Sequence, residues 1–130
     1  MAVPTDQEYS IQGLIEINTA FLALLEVNGS SGCTVKLYDS SDTLLSTIAL
    51  DNPPGTVDGG TGVLTLDSST PDSSPTAGAA AYCEVHDAIA TWATRMPCVE
   101  SGVAVSRSLA LSTLTIVGGA TLSITTMTIG

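Results

Sequence analysis

The spacing of apolar residues near the N-terminus predicts one helix. Five apolar residues recur at i, i+3, i+7, i+10 and i+11, which puts them on one helical face. They are Leu14, Ile17, Phe21, Leu24 and Leu25. Asn28-Gly29 supplies a stop, because glycine takes the left-handed cap conformation without steric cost. We therefore expect an extended polar arm over residues 1–12 and a helix over residues 13–28. The length of the segment argues against the alternative, a strand over residues 14–19.

Beyond Gly32 the apolar period changes to two, which predicts half-buried strands. We expect about eight of them, with turn signals every eight to twelve residues. They cover residues 33–38, 44–50, 63–66, 78–86, 88–96, 103–105, 109–114 and 121–129. Pro53-Pro54-Gly55 and Pro97 are expected to end strands, since proline lacks a ladder donor. Residues 67–77 read as a surface loop.

This pattern predicts a mainly β fold: an antiparallel β-sandwich or jelly-roll-like domain with one N-terminal helix. It is a single domain over residues 13–130 with no internal repeat. The absence of βαβ alternation argues against a nucleotide-binding α/β fold.

The net charge of the chain argues against several classes of binding partner. The chain of 130 residues has 3 bases against 13 acids, a net charge of −10. Neutralising nucleic-acid phosphates requires Lys and Arg on a surface, so we expect no nucleic-acid partner. The same balance argues against binding to anionic membranes. The sequence shows neither a signal peptide nor a membrane span, which predicts synthesis in a cytosol without export.

His86 is the single histidine, and Glu84 precedes it by two positions. On a strand the two side chains point to one face, where they would suit a metal or a base with its orienting partner. One imidazole beside one or two carboxylates makes a weak site, so we favour a structural histidine. We assign no catalytic, cofactor-binding or metal-binding residue and expect a protein that is not an enzyme.

The remaining chemistry-bearing residues favour structural roles. Cys33, Cys83 and Cys98 are odd in number and widely spaced, which indicates buried thiols, with a Cys83–Cys98 bridge as the alternative. Residues 58–62 (DGGTG) lack the remaining ligands of a calcium loop, and aspartate is common in turns. The bases Lys36, Arg95 and Arg107 look scattered. Trp92 and Tyr82 suit stacking on a sugar, although a single Trp is more often part of a core or interface.

An ordered series of motifs resembles small virion proteins of tailed bacteriophages. The series begins with the helix and its Asn-Gly turn, followed by a strand that ends in Tyr-Asp. The further segments are residues 44–50 with the Pro-Gly loop at 52–55, residues 63–66, residues 76–82 and residues 109–129. One departure is the turn at residues 87–90, which lacks the glycine of the usual Asp-x-x-Gly. We expect a wider hairpin there.

The resemblance implies a capsid decoration or cement protein. Such a protein sits on the outer surface of an icosahedral head as a homotrimer and bridges subunits of the major capsid protein. The N-terminal arm and the loops at residues 51–62 and 67–77 are expected to form contacts or exposed surface. Localisation would be the virion exterior, after assembly in the bacterial cytoplasm. The alternative is a tail, neck or fibre-associated protein that binds a host glycan through Trp92 and Tyr82. A cell-wall hydrolase centred on His86 is a remote third.

Overall fold

The computed structural model describes residues 9–29, 32–100, 108–119, 121–122 and 127–129. Within these residues, one helix, α1 (Ile11–Glu26), precedes nine strands. The strands are β1 (Thr34–Tyr38), β2 (Leu44–Val57), β3 (Leu64–Thr70), β4 (Gly78–Ala79), β5 (Tyr82–His86), β6 (Trp92–Glu100), β7 (Leu109–Leu111), β8 (Thr115–Ile116) and β9 (Met127–Ile129). The expected mainly β fold with an N-terminal helix is confirmed. Predicted strand positions at residues 103–105 and 123–126 lie outside the described residues.

Seven strands close into a barrel in the order β1-β2-β3-β9-β7-β6-β5. Its neighbours pair antiparallel, except that β6 and β7 run parallel. Pairing of β1 with β5 closes the circle, so the two packed sheets of the expected sandwich are not confirmed. β4 and β8 form a separate two-stranded sheet. The alternation of apolar and polar residues predicts which side chains of a strand are buried. It does not distinguish a sandwich from a barrel, because both folds bury every second residue of a strand.

Alternate residues of each strand fill the barrel. Val35 and Leu37 of β1 and Cys83 and Val85 of β5 are fully buried. Leucines from four other segments complete the core, among them Leu45, Leu64, Leu109 and Leu111. The three cysteines are buried free thiols, so the alternative Cys83–Cys98 bridge is not formed. The strand periodicity therefore predicted the inward-facing residues of β1 and β5 correctly.

The expected break at Pro53-Pro54 is wrong, because β2 runs through both prolines to Val57. Leu50 pairs with Ser68 and Gly55 pairs with Leu66, so residues 51–54 lie opposite a single residue of β3. A bulge leaves its extra residues outside the ladder. The prolines therefore remove no hydrogen bond that the pairing needs.

Pro97 also lies within a strand, which corrects the second expected stop. β6 begins at Trp92 and continues to Glu100. Pro97 is opposite Tyr82, and the next residue, Cys98, begins the parallel pairing with Leu109 of β7. Proline thus occupies the point at which β6 exchanges one partner for another, where a missing donor costs least.

Three more predicted boundaries differ. The strand at residues 78–86 divides into β4 and β5, because the Ala80 N–H donates to the Leu114 carbonyl and the Ala81 N–H to the Tyr38 carbonyl. The strand expected at residues 109–114 ends at Leu111, and residues 115–116, expected outside it, form β8. In the expected loop at residues 67–77, the first four residues extend β3. Further on, Asp72 bridges Leu122.

Helix α1 lies across the end of the barrel where β1 begins and β9 ends. Asn18, fully buried, donates from Nδ2 to the carbonyls of Gly62 (2.7 Å) and Ile129 (3.4 Å). Leu25 is fully buried near the C-terminal end of the helix, whereas Leu24, expected on the same face, is 49% exposed. No helix of the described residues is long and apolar enough to cross a membrane.

The helix begins two residues earlier than expected. The Ser10 hydroxyl accepts a hydrogen bond from the Gly13 N–H at 3.0 Å, the contact of an N-cap serine. Ile11 and Gln12 therefore belong to α1 and not to the arm. Residues 1–8 of the expected arm lie outside the described residues.

The turn between β5 and β6 is tight, although it lacks the glycine of the usual Asp-x-x-Gly. Ala90 takes the positive φ of 63° that a glycine would adopt, and its N–H donates to the Asp87 carbonyl at 3.1 Å. The expectation of a wider hairpin is therefore wrong. The left-handed conformation costs an L-residue about 1–2 kcal/mol, a strain that glycine does not have.

Ala90→Gly should therefore stabilise the protein. We expect a gain of about 0.5–1 kcal/mol in the free energy of unfolding, because strain relief exceeds the extra entropy of glycine in the unfolded chain. Urea unfolding followed by circular dichroism measures it, with Ala88→Gly in the same turn as the control. A loss of stability in Ala90→Gly would contradict the strain argument.

Candidate binding face on β1, β5 and β6

The outer surface of β1, β5 and β6 carries a row of aromatic and charged side chains, here called the aromatic face. Because residues 35, 37, 83 and 85 fill the core, their strand neighbours point outward. Register places Tyr38 opposite Tyr82, and Glu84 between Lys36 on one side and Arg95 on the other. We define the aromatic face by Lys36, Tyr38, Tyr82, Glu84, His86, Trp92 and Arg95.

Stacking links four of these side chains across three strands. The rings of Tyr38 and Tyr82 are parallel within 9°, with centroids 5.0 Å apart. The Arg95 guanidinium lies 5.8 Å from the Tyr82 ring centroid and 5.7 Å from that of Trp92. Cation–π contacts at these distances add about 0.5–1 kcal/mol each at exposed sites. The outer end of the stack, Trp92, remains 58% exposed.

Glu84 stabilises the stack through hydrogen bonds with two of its side chains. Its carboxylate is almost buried, at 9% residue exposure, and Oε2 accepts from Arg95 Nε at 3.1 Å and from Nη2 at 2.5 Å. Hydrogen bonds from Arg95 and also from Tyr38 hold the pKa of the Glu84 carboxyl below its ordinary value. Glu84 thus fixes a base and an aromatic ring from two neighbouring strands.

Glu84→Gln should destabilise the protein in a pH-dependent way. The lowered pKa means that the charged carboxylate stabilises the fold fully above the unfolded carboxyl pKa of about 4.3, and that this term is lost as the pH falls through the folded value. We expect a cost of about 1–2 kcal/mol at pH 7 that becomes smaller at pH 3. Chemical denaturation across this range measures it, with Glu16→Gln on the exposed helix surface as the control. A cost that is the same at both pH values would contradict the ionic role.

A hydrogen bond anchors Tyr82 to the β1–β2 turn. The Tyr82 hydroxyl donates to Asp42 Oδ1 at 2.8 Å, and this bond raises the pKa of Tyr82 to about 12. Asp42 has a φ of 64°. The same turn is closed by Asp39, whose carboxylate accepts from the N–H groups of Ser41 and Thr43. The ring of Tyr82 is therefore held at its face and at its hydroxyl.

His86 is brought beside Glu84, as the strand spacing predicted. Its Nε2 lies 3.5 Å from Glu84 Oε1 and has no hydrogen-bond partner among the described residues, while Nδ1 lies 3.2 Å from the Ala90 carbonyl. No group of three or more potential metal ligands occurs among the described residues. The Nδ1 contact ties β5 to the β5–β6 turn, which fits the structural role that we favoured.

The cysteines and turn aspartates have local structural contacts. A hydrogen bond with the Cys98 thiol, together with burial, raises the pKa of the Cys83 thiol, which disfavours the nucleophilic thiolate. Asp58 accepts from the N–H groups of Gly60 at 2.7 Å and Thr61 at 2.9 Å, so the DGGTG segment is a turn closed by its own carboxylate. These contacts explain the placement of Cys83, Cys98 and Asp58 without invoking a bound ligand.

Sequence reasoning identified two separate pairs, Trp92 with Tyr82 and Glu84 with His86, and missed that both pairs share one surface. It also read the bases as scattered, whereas Lys36 and Arg95 flank Glu84. Arg107 lies outside the described residues. The register of β1 and β6 against β5 brings these residues together, and the sequence alone does not reveal that register. Comparison with known proteins adds no further guide: no family model, no curated protein and no solved structure matches the chain.

Proposed function

We propose that the chain is a structural virion protein, a decoration or cement protein of a tailed-phage head. The supporting observation is the aromatic face, an exposed Trp–Arg–Tyr surface that buried Glu84 holds in place. Tryptophan, tyrosine and arginine are the residues most enriched among binding hot spots of protein interfaces. In this proposal the partner is the major capsid protein.

The barrel suits a binding role on a crowded shell. Closure pairs every barrel strand on both sides, which removes the free sheet edges that promote aggregation. Contacts of modest strength become strong when a symmetric oligomer makes several at once. The net charge of −10 keeps particles apart and disfavours binding to packaged DNA. In this proposal the barrel takes the place of the jelly-roll-like subunit of the resembling proteins, and the assembly is a homotrimer.

Stoichiometry in purified particles tests the proposal. We expect a simple icosahedral ratio of this chain to the major capsid protein, and binding of the purified protein to heads that lack it. Trp92→Ala should weaken head binding at least tenfold, because a hot-spot tryptophan contributes about 2 kcal/mol or more. Val117→Ala is the matched control, since Val117 is similarly exposed, at 63%, and is not part of the aromatic face. Absence from the particle would overturn the proposal.

Exposure of Trp92 supports a second candidate, a tail, neck or fibre-associated protein that binds a host glycan. An exposed indole ring is a suitable surface for a sugar. The ring of Tyr82, however, already stacks on Tyr38 and lies against Arg95, so Trp92 would carry most of the contact. A few copies per particle, together with saccharide binding that Trp92→Ala abolishes, would favour this candidate over the first.

A further inference from the structure

The chain has three asparagines, and their surroundings give them different chemistry. Asparagine is thermally labile, because the backbone nitrogen of the next residue can attack its side-chain carbonyl carbon. Asn52 precedes a proline, which has no N–H for this attack. Asn18 is fully buried in α1, and its side-chain amide is hydrogen-bonded at 2.7 Å to the β2–β3 turn. Asn28, in contrast, is exposed, lies just beyond the end of α1 and precedes Gly29.

Gly29 offers little resistance to such an attack. It has no Cβ, and its φ of 112° lies in the region that glycine adopts freely. Its N–H donates to the Glu26 carbonyl at 3.0 Å, a bond at the C-terminal end of α1. Because helix ends fray, this bond can open without unfolding of the barrel. The Gly29 nitrogen therefore becomes available in the folded protein.

The side chain of Asn28 links the end of α1 to the turn between β5 and β6. Its Nδ2 donates to Asp87 Oδ2 at 3.0 Å. The other carboxylate oxygen, Asp87 Oδ1, accepts from the N–H groups of Ile89 at 3.1 Å and Thr91 at 2.9 Å, which closes the turn. Asp87 is only 6% exposed, and the bond from Asn28 contributes most to holding the pKa of its carboxyl below the ordinary value. The amide of Asn28 therefore faces a charged carboxylate.

We propose that Asn28 is a deamidation site, and that its conversion to aspartate separates the end of α1 from the β5–β6 turn. The Gly29 nitrogen loses its proton to solvent hydroxide and bonds to Cγ of Asn28. The bond from Cγ to Nδ2 breaks, and Nδ2 takes a proton from water and leaves as ammonia. Water then opens the resulting succinimide to aspartate or isoaspartate. The net reaction consumes water, releases ammonia and leaves a carboxylate at position 28.

The product cannot make the contact that the amide made. A carboxylate has no hydrogen to donate to Asp87 Oδ2, and it adds a negative charge beside one that is nearly buried. The two charges repel, in a chain whose net charge is already −10. Hydrolysis of the succinimide does not restore the amide, so modified copies accumulate with the age of the protein. The inference does not depend on the proposed function.

Peptide mass spectrometry of the folded, full-length protein, incubated in warm, mildly alkaline buffer, tests the modification. We expect fragmentation to locate the mass gain of an amide-to-acid conversion at Asn28, whereas Asn18 and Asn52 keep their amides. Asn28→Gln is the control, because the longer side chain would have to close a larger ring and reacts far more slowly. An amide at Asn28 that persists in the folded protein would overturn the proposal, whether or not the urea-unfolded protein loses it.

Asn28→Asp reproduces the aspartate product and tests its structural effect. We expect the melting temperature to fall by about 2–5 °C. Hydrogen exchange of residues 24–29 should become about tenfold faster or more, because a hydrogen bond to a charged group is lost. Exchange of residues 11–16, at the start of α1, should not change. Thr19→Asp is the charge-matched control and should melt like wild type, since Thr19 is exposed on α1 and the two residue types have similar helix propensities.

A reversed pair keeps the structural part of the proposal falsifiable. When Asn28→Asp is combined with Asp87→Asn, the new amide can accept from the N–H groups of Ile89 and Thr91 through Oδ1 and donate to the carboxylate at position 28. We expect this double variant to recover most of the stability lost in Asn28→Asp. An Asn28→Asp protein that melts and exchanges like wild type, or a double variant no more stable than Asn28→Asp alone, would overturn the proposed separation.

Discussion

Replacement of Gly62 by alanine is expected to destabilise the protein by about 3 kcal/mol. Gly62 has a φ of 75°, and a Cβ there would lie 2.5 Å from the Cβ of Leu14 and 3.0 Å from the carbonyl oxygen of Ile11. The left-handed backbone costs about 1–2 kcal/mol in an L-residue, and overpacking adds about 1–3 kcal/mol. The Gly62 carbonyl also accepts a hydrogen bond from Asn18. Displacing the β2–β3 turn would therefore also disturb the packing of α1 on the barrel.

Gly119→Ala separates the two contributions to this cost. Gly119 has almost the same φ, 76°, but a Cβ there meets nothing within 4 Å. It should therefore cost about 0.5–1 kcal/mol, the backbone strain less the entropy that alanine removes from the unfolded chain. Guanidinium unfolding of both variants measures the difference, which reports the contact between α1 and the β2–β3 turn. Equal costs for the two variants would show that the helix does not pack on Gly62.

Gly55→Ala should cost at least as much, about 3 kcal/mol or more, for a different reason. A Cβ on Gly55 would overlap the carbonyl oxygen of Thr65, which is backbone of the paired strand, and would lie 3.2 Å from side-chain atoms of Leu64 and Leu66. A flexible side chain can move aside, but backbone within a barrel moves only if the ladder shifts. Pairing of β2 with β3 beyond the proline bulge therefore requires glycine at this position.

Gly59→Ala is the matched control for Gly55→Ala, since a Cβ at Gly59 in the β2–β3 turn meets nothing within 4 Å. We expect Gly59→Ala to stay within about 0.5 kcal/mol of wild type. Thermal unfolding followed by circular dichroism compares the two. If Gly55→Ala were as stable as Gly59→Ala, β2 would not pass close to β3 after its prolines, and the continuous strand would be wrong.

The helix and the inward strand positions were predictable because their causes are local. The 3.6-residue period placed Leu25 in the core, and the period of two placed Val35, Leu37 and Val85 there. Buried thiols followed from the number and spacing of the cysteines. Asn18 was not predictable, because a polar residue in an apolar helical stripe is buried only when partners exist, and these are carbonyls 44 and 111 residues away in sequence.

The proline predictions failed because proline acts through pairing, which is not local. Pro53 and Pro54 were expected to end a strand, yet they lie in a bulge, and Pro97 lies where β6 changes partner. Each position needs no ladder donor from the proline. The left-handed conformation of Ala90 likewise depends on closure of the turn between β5 and β6, and not on the preference of alanine.

The sequence by itself determined the class of fold, the N-terminal helix, the alternating core positions and the acidic charge of the protein, because these depend on residue type and short-range spacing. The tertiary structure alone decided that the strands close into a barrel and in what register. Register is set by contacts between residues far apart in sequence, here β1 with β5 and β5 with β6. That register placed Glu84 between Lys36 and Arg95 and stacked Tyr38 on Tyr82.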